Sequence, residues 1–255
     1  MHAVTADLPR AAGDLLAKLR KRAPRVHCIT NNVAQAFTAN LLLAAGCVPS
    51  MTISPAEIGA FVEGAHALLV NLGTFDGERR EAAHIAIDVI RHRGKPWVLD
   101  PVLIDRSEAR AGFAKALLAR KPAAVRLNAA EFKALGCTPD RDGAILFAKE
   151  AGTVVALSGA TDIVAGSGQV AALANGHPHM ARVTALGCAA SALTAAFIAC
   201  GEDDWSSSAA ALLTLGVAGE VAGEKARGPG SFAVEILDAL YNLDAAAIAQ
   251  RAKVS

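Results

Sequence analysis

Apolar residues in the first two thirds of the chain follow two alternating patterns, short continuous runs and helical spacing. The short runs predict strands over 48–53, 67–70, 97–100, 123–127 and 154–157. The helical spacing predicts helices over 15–21, 33–45, 78–92, 113–120 and 145–150. Strands that alternate with helices in this way are typical of βαβ units, so we expect a mainly parallel central sheet flanked by helices.

The pattern changes after Ser158. Residues 162–173 predict a hairpin that turns at 166–168. The remainder of the chain is almost entirely helical in pattern, with helices predicted over 187–200, 204–225, 231–242 and 243–252. Because no linker, repeat or low-complexity tract interrupts the chain, we expect a single α/β domain over residues 1–255 with a helix-rich C-terminal third.

Side-chain caps predict where two of the helices begin. Ser54 is followed three residues later by Glu57, which is the spacing of a capping box. Ser231 follows a Gly-Pro-Gly turn and is expected to cap the helix after it.

The composition excludes several classes of function. The chain has 25 Lys and Arg against 24 Asp and Glu, and this balance argues against a protein that neutralises many nucleic-acid phosphates. Only 4% of the residues are aromatic, so stacking platforms for single strands are missing as well. With 53% hydrophobic residues the chain is not a disordered protein. We therefore expect a globular protein with no nucleic-acid partner.

Cysteine usage and charge placement bear on location. Five cysteines, an odd number without a CxxC pair, indicate neither a disulfide framework nor a zinc site and suit a reducing cytosol. Charged residues interrupt the first twenty positions, which argues against a signal peptide. The uncharged stretch between Arg182 and Glu202 is rich in Ala and contains several polar residues, so it predicts a buried helix. We expect a cytoplasmic protein without a membrane segment.

Polar residues and turn glycines collect where the predicted strands end, and ligands of open parallel sheets bind at the carboxyl ends of the strands. This rule selects Met51, 71–73, Asp100, 126–128 and 158–159. Asp100 with Glu131 would suit Mg²⁺ and phosphates, although each could instead be a capping side chain. Arg126 needs an anionic partner, which is either a phosphate or the carboxylate of a salt bridge.

The segment 184–188 opens an uncharged helix, and backbone N–H groups at a helix N-terminus form an anion site. Cys188 lies in the first turn of this helix, where the pKa of a thiol is expected to fall. The competing interpretation of Cys188 is a small packed residue of the core.

Several of these segments occur in an order that resembles the hydroxyethylthiazole kinase family, the thiamine-salvage branch of the ribokinase-like superfamily. They are His27–Val33, Pro49–Met51, Asn71–Thr74, Trp97–Val102, Arg126 with Asn128 and Glu131, Thr184–Cys188 and Gly228–Phe232. The resemblance extends roughly from residue 12 to 250, and its most specific parts are the 28–31 and 184–188 segments.

The resemblance implies a ribokinase-like α/β fold and a homotrimer with the thiazole site between subunits. It also implies Mg²⁺-dependent transfer of the γ-phosphoryl group of ATP to the primary alcohol of 4-methyl-5-(2-hydroxyethyl)thiazole. Seven residues match functional positions of the family: Met51 and Ala185 for the substrate, Arg126 and Ser158 for ATP, Asp100 and Glu131 for the metal, and Cys188 for catalysis.

Three departures from the family pattern lie on the nucleotide side. Leu103 begins a Leu-Ile-Asp-Arg segment where glycine and small residues are expected. Leu127 stands where glycine is expected, and Leu does not readily adopt the positive φ that Gly allows. The stretch between Glu131 and Val154 is also shortened. Two alternatives therefore stay open, a kinase of another small heteroaromatic alcohol and a non-catalytic thiazole-binding protein.

Overall fold

Parallel strands form the centre of the molecule. The computed structural model describes the backbone of residues 2–255 and the side chains of residues 7–255. Within that range eight strands form one sheet in the order β2-β1-β3-β4-β5-β6-β7-β8, with β1 to β6 parallel and β7 and β8 antiparallel. The strands are β1 (Arg25–Ile29), β2 (Val48–Ser50), β3 (Ala67–Asn71), β4 (Trp97–Asp100), β5 (Ala124–Asn128), β6 (Val154–Ser158), β7 (Asp162–Gly166) and β8 (Gln169–Leu173).

Helices cover both faces of the sheet. In chain order they are α1 (His2–Arg22), α2 (Gln35–Ala45), α3 (Ile58–Gly64), α4 (Gly77–His92), α5 (Glu108–Leu118), α6 (Ala129–Ala134), α7 (Arg141–Ala151), α8 (Leu186–Ile198), α9 (Asp204–Lys225), α10 (Pro229–Asn242) and α11 (Ala245–Arg251). Short 3₁₀ turns occur at Ile104–Arg106 and Pro178–Arg182.

Two apolar cores lie on opposite faces of the sheet because successive strand residues point in opposite directions. In β3, for example, Leu69 belongs to the core beneath α1, α2 and α8 to α11, whereas Leu68 and Val70 belong to the core beneath α3 to α7. The predicted α/β class, mainly parallel sheet and helix-rich C-terminal third are confirmed.

The predicted hairpin is also confirmed, and its two-residue turn has a clear backbone signature. Ser167 and Gly168 both have positive φ, 52° and 74°, as a tight turn between antiparallel strands with right-handed twist requires.

Three local predictions were wrong or incomplete. The apolar pattern missed β1, because its residues are buried on both faces and include a histidine. Ser54 does not cap a helix, since α3 begins only at Ile58 and its N-cap position, Glu57, makes no side-chain capping bond. Ser231 lies inside α10, which begins at Pro229, and its hydroxyl accepts a hydrogen bond from the backbone N–H of Arg227.

Candidate active site

The carboxyl ends of the central strands place the predicted polar residues side by side. Asn71 pairs with Asp100 across β3 and β4, and Asn128 pairs with Ser158 across β5 and β6. Helix α8 begins against the same edge, since Ser191 on its second turn bonds to Asp100. The rule that selected these residues from the sequence therefore holds for this edge of the sheet.

Asp100 is a buried carboxylate with both of its hydrogen bonds on one oxygen. Its side chain accepts from Asn71 Nδ2 at 2.7 Å and from Ser191 Oγ at 2.9 Å, in each case through Oδ2. Burial, together with the negative charge of Glu131, raises the pKa of Asp100 to about 6, although the positive charge of Arg126 opposes this rise. No hydrogen bond of the described residues reaches Oδ1, which leaves that oxygen for a ligand.

Glu131 is the capping residue that one interpretation expected, and its position also suits a metal ligand. Its Oε2 accepts from the backbone N–H of Asn128 at 2.8 Å, which completes a capping box, and its Oε1 accepts from the N–H of Leu103 at 2.9 Å. Burial raises the pKa of Glu131. Each oxygen keeps a second lone pair, so the cap and a metal contact are compatible.

Arg126 has no carboxylate partner in the part of the chain whose side chains are described. Its only hydrogen bond there runs from Nη1 to the carbonyl of Gly187 at 3.1 Å, and its Nε is buried without a partner. The salt-bridge interpretation of Arg126 is therefore wrong. A buried guanidinium N–H without an acceptor costs free energy, which an anionic ligand would recover.

A cavity of about 810 Å³ lies beside this guanidinium. Its walls come from the ends of β5 and β6, the 174–181 loop, the start of α8 and the middle of α9. Ser158, the second predicted ATP-binding residue, lines it together with Arg126. A volume of this size accommodates a nucleotide-sized ligand.

Two further parts of this cavity were missed by the sequence reasoning. Asp162 lines it close to Arg126, whose charge acts on the carboxyl group while burial raises the Asp162 pKa. His177 also lines the cavity and stacks on Phe232 with ring centroids 5.3 Å apart. Only the position of Asp162 just after a strand end was a usable signal.

Cys188 lies in the first turn of α8 as predicted, but its acidity changes in the opposite direction. Burial and the negative charge of Asp100 raise the pKa of the Cys188 thiol to about 11. These two effects outweigh the helix dipole and the nearby amide donors of Asn31 and Asn71, which favour the thiolate. At neutral pH the group is therefore a thiol.

Asn31 is the residue of this cluster that sequence reasoning missed as functional. Its Nδ2 lies 3.4 Å from Cys188 Sγ and 3.3 Å from Asn71 Oδ1. Asn31 follows β1 by two residues, so recognition of that strand would have selected it by the strand-end rule.

Met51 directly follows the edge strand β2. His27 contacts the residues on both sides of Met51, since its ring nitrogens lie 2.8 Å from the side-chain oxygen of Ser50 and 2.9 Å from the backbone carbonyl oxygen of Thr52. Burial lowers the pKa of His27 to about 4, so the ring is neutral and Nε2 carries the proton donated to Thr52. No hydrogen bond of the described residues connects Met51 to Cys188.

The two leucine departures have different outcomes. Leu103 does adopt a left-handed backbone, with φ 61° and ψ 28°, and this orientation directs its N–H to Glu131. Leu127 lies in the regular strand β5, pairs with Leu157 and is buried, so the expected conflict with positive φ does not arise there. Ala185, the predicted substrate contact that precedes α8, is also left-handed, with φ 71°.

Two properties of the described residues concern metals and membranes. Among the side chains of residues 7–255 no group of three or more His, Cys, Asp or Glu is arranged to hold a metal ion. Along residues 2–255 no helix combines the length and the apolar character that crossing a membrane demands.

Comparison with known proteins gives a consistent result. A family model described as the hydroxyethylthiazole kinase family matches residues 16–246. The chain is 41% identical over 253 residues to a probable hydroxyethylthiazole kinase of Agrobacterium fabrum, and the match covers 98% of each protein. A hydroxyethylthiazole kinase of Granulibacter bethesdensis is 42% identical over 253 residues, which cover 94% of this chain and 92% of that one.

Solved structures agree with these sequence relatives. The structure of a hydroxyethylthiazole kinase protein from Pyrococcus horikoshii OT3 superposes with a TM-score of 0.91 at 36% identity, covering 96% of this chain and 98% of that one. A ribokinase-like superfamily protein from Enterococcus faecalis shares the fold alone, at 12% identity, a TM-score of 0.67 and coverage of 87% and 88%. The predicted resemblance is confirmed over nearly the whole chain, which belongs to the hydroxyethylthiazole kinase family.

Proposed function

We propose that this protein transfers the γ-phosphoryl group of ATP to the primary alcohol of 4-methyl-5-(2-hydroxyethyl)thiazole. The observation that carries the proposal is Arg126, a cation without a carboxylate partner whose buried Nε faces no acceptor among the described residues. It lines a cavity of about 810 Å³, and its charge acts on both Asp100 and Cys188. Membership of the hydroxyethylthiazole kinase family supports the choice of acceptor.

ATP would occupy the cavity with its phosphates toward Arg126. Phosphoryl transfer depends mainly on positioning and on neutralisation of phosphate charge, because the transition state is loose. Arg126 supplies fixed positive charge, and Ser158 offers a hydroxyl at the neighbouring strand end. The start of α8 adds backbone N–H groups and the positive end of the helix dipole.

We propose that Mg²⁺ is the cofactor and that Asp100 and Glu131 would hold it. Mg²⁺ commonly binds through one or two carboxylates and completes its shell with waters and substrate phosphates, so two acidic residues are sufficient. Asp100 Oδ1 has no hydrogen-bond partner among the described residues, and the negative charge of Glu131 acts on the Asp100 carboxyl group. When bound, the ion would neutralise phosphate charge and orient the transferred group.

The acceptor alcohol would lie at Cys188, with Met51 and Ala185 as further substrate contacts. Because the Cys188 thiol has a raised pKa, it acts as a hydrogen-bond partner of the alcohol and not as a base. The alcohol oxygen forms the new bond to the γ-phosphorus while the bond to the ADP oxygen breaks and its electron pair leaves with ADP. The alcohol proton departs late, to an oxygen of the transferred phosphoryl group, which a loose transition state permits.

We further propose that the active protein is a homotrimer with the thiazole site between subunits. Apolar side chains are exposed around the edge strand β2 and helix α2, namely Val33, Leu43 and Val48. An unpaired strand edge beside exposed apolar residues is typical of a surface that another chain covers. Light scattering on the purified protein tests the trimer, and Leu43→Asp is expected to dissociate it.

The activity is tested by a coupled assay of ADP release with Mg²⁺, ATP and the thiazole alcohol, with the product identified by mass. Phosphorylated thiazole that forms only when both substrates are present supports the proposal. Tight thiazole binding by calorimetry without product would favour the non-catalytic thiazole-binding protein. Turnover of a different heteroaromatic alcohol, with none of the thiazole, would favour the related kinase. The single domain over residues 1–255 and the cytoplasmic location stay predictions.

A further inference from the structure

Two side-chain amides connect Cys188 to Asp100 at the carboxyl edge of the sheet. Asn31 Nδ2 reaches both Cys188 Sγ and Asn71 Oδ1, and Asn71 Nδ2 donates to Asp100 Oδ2 at 2.7 Å. We propose that Asn31 and Asn71 are positioning residues, which hold the Cys188 sulfur as a hydrogen-bond acceptor and so direct its S–H proton toward the acceptor alcohol. The inference rests on the proposed function, because it places that alcohol at Cys188.

The polarity of this amide chain is fixed by the backbone. The N–H of Ala34 donates to Asn31 Oδ1 at 2.9 Å, and the N–H of Gly73 donates to Asn71 Oδ1 at 3.0 Å. A backbone N–H can only donate, so both Oδ1 atoms are acceptors and both Nδ2 atoms face the other way. Neither amide can turn over without the loss of a backbone hydrogen bond.

This polarity decides what the thiol can do. Since Asn31 donates one N–H to Sγ, the thiol proton must point away from Asn31. Asp100 lies close enough for its charge to raise the Cys188 pKa, so a thiol without the amide donor could turn its proton toward that carboxylate. In the proposed site neither oxygen of this carboxylate is left for the thiol proton, because Asn71 and Ser191 occupy Asp100 Oδ2 and the cation would take Oδ1.

Gly73 provides an independent observation that the two amides need a defined space. A Cβ atom at Gly73 would lie 2.6 Å from Asn31 Nδ2 and 2.9 Å from Asn71 Oδ1. Both distances are too short for a side chain, so only glycine leaves room for the amide pair. Gly77 is a matched control, because a Cβ there would meet nothing within 4 Å.

Two variants disturb the contact between Asn31 and Cys188 in different ways. Asn31→Ser keeps an oxygen for the Ala34 N–H but removes the nitrogen that reaches Sγ, and Gly73→Ala displaces the unaltered amide. The S–H stretching band of Cys188 is measured by Raman spectroscopy and assigned by its loss in Cys188→Ala. In the ligand-free protein this band is expected to move in both variants and to stay in place in Gly77→Ala.

Kinetics then show whether the positioning matters for turnover. Asn31→Ser is expected to lower kcat about ten- to hundredfold with the KM for ATP within about twofold. In the Cys188→Ala background the same substitution should have no further effect on kcat, because the residue it positions is gone.

Two results would overturn the inference. One is an S–H band at the same position in the wild type and in Asn31→Ser. The other is an equal loss of kcat with and without the Cys188 thiol, which would show that Asn31 acts only on the fold. Failure of the proposed function is recognised separately, because calorimetry would then detect no binding of the thiazole alcohol to the wild type. The S–H band of the ligand-free protein still decides in that case whether Asn31 holds the thiol.

Discussion

The nucleotide side and the acceptor side of the site are built in different ways. The cavity beside Arg126 is enclosed by strand ends, a loop and two helices that all belong to one chain. Met51, in contrast, follows the edge strand β2, and Val33, Leu43 and Val48 are exposed around it. One chain therefore encloses the cavity proposed for the nucleotide, whereas the surface near Met51 keeps apolar side chains exposed.

The two sides also differ in electrostatics. Arg126 presents a fixed charge without an ion-pair partner among the described residues, which suits a polyanionic ligand. The acceptor side presents the thiol of Cys188 and the amides of Asn31 and Asn71, which are neutral at pH 7. Neutral hydrogen-bonding groups suit an uncharged alcohol, so each side has the chemistry of its proposed ligand.

The sharpest test of this division is Arg126→Ala. Loss of the Arg126 charge, which we propose faces the phosphates, is expected to reduce kcat/KM for ATP about a thousandfold, roughly 4 kcal/mol. Thiazole affinity, measured by calorimetry, should stay within about twofold of the wild type. Arg126→Lys is the matched control. Its kcat/KM for ATP should lie between those of the wild type and Arg126→Ala, because lysine keeps the positive charge without the planar guanidinium fork.

Equal losses in the affinities for ATP and for the thiazole alcohol would contradict this division. Such a result would mean that Arg126 supports the whole sheet edge, through its contact with the start of α8, and not the nucleotide alone.

The departure at Leu127 gives the next largest effect, on stability. Leu127 is 1% exposed and lies in the core beneath α3 to α7. Leu127→Gly, which restores the residue expected from the family pattern, should therefore lower the free energy of unfolding by about 3 to 4 kcal/mol through the cavity it leaves and the flexibility it adds. Urea denaturation measures the change, and an unaltered midpoint would show that Leu127 is not a core residue.

Sequence reasoning located the strand ends well and the local geometry poorly. Asp100, Arg126 and Ser158 were selected by apolar runs that end at polar residues, a signal carried by neighbouring positions in the chain. The pKa of Cys188 could not be predicted in the same way, since it depends on Asp100, 88 residues away in the sequence and adjacent in space. Burial and the charge of Asp100 raise the Cys188 pKa, whereas the helix N-terminus alone predicts that it falls.

The backbone conformations of the two leucines could not be predicted from the local sequence either. Positive φ was in question at Leu127, where glycine is expected, but Leu103 is the leucine that adopts it. Leu127 is held in regular β5 by its pairing with β6, which no local pattern reports. Asn31 was missed for a related reason, because the strand before it was not recognised.

Asp100 lies between the two sides, and its titration predicts a pH dependence of stability in the protein free of metal and nucleotide. Its pKa is raised from an ordinary 3.8 to about 6, so the folded state holds the proton more tightly than the unfolded state. The resulting stability is present below about pH 4 and is lost as the pH rises through about 6. Two pKa units correspond to about 2 to 3 kcal/mol.

Asp100→Asn removes this titration and is the test of the pH dependence. Urea unfolding of both proteins at pH 4.5 and 7.5 should show the wild type losing about 2 kcal/mol relative to the variant between these values. A difference between the two proteins that is the same at both pH values would show that Asp100 titrates near its ordinary pKa.

The smallest expected effect concerns Leu103, on the nucleotide side. A left-handed conformation costs a non-glycine residue about 1 to 2 kcal/mol, whereas glycine adopts it freely but loses about 0.5 to 1 kcal/mol more entropy on folding. Since the Leu103 side chain is 46% exposed, little packing is lost, and Leu103→Gly should stabilise the protein by less than about 1 kcal/mol. Leu103→Ala keeps the strained backbone and should give no gain. A clear loss of stability in Leu103→Gly alone would mean that the restriction of the unfolded chain by Leu outweighs the strain of its φ of 61°.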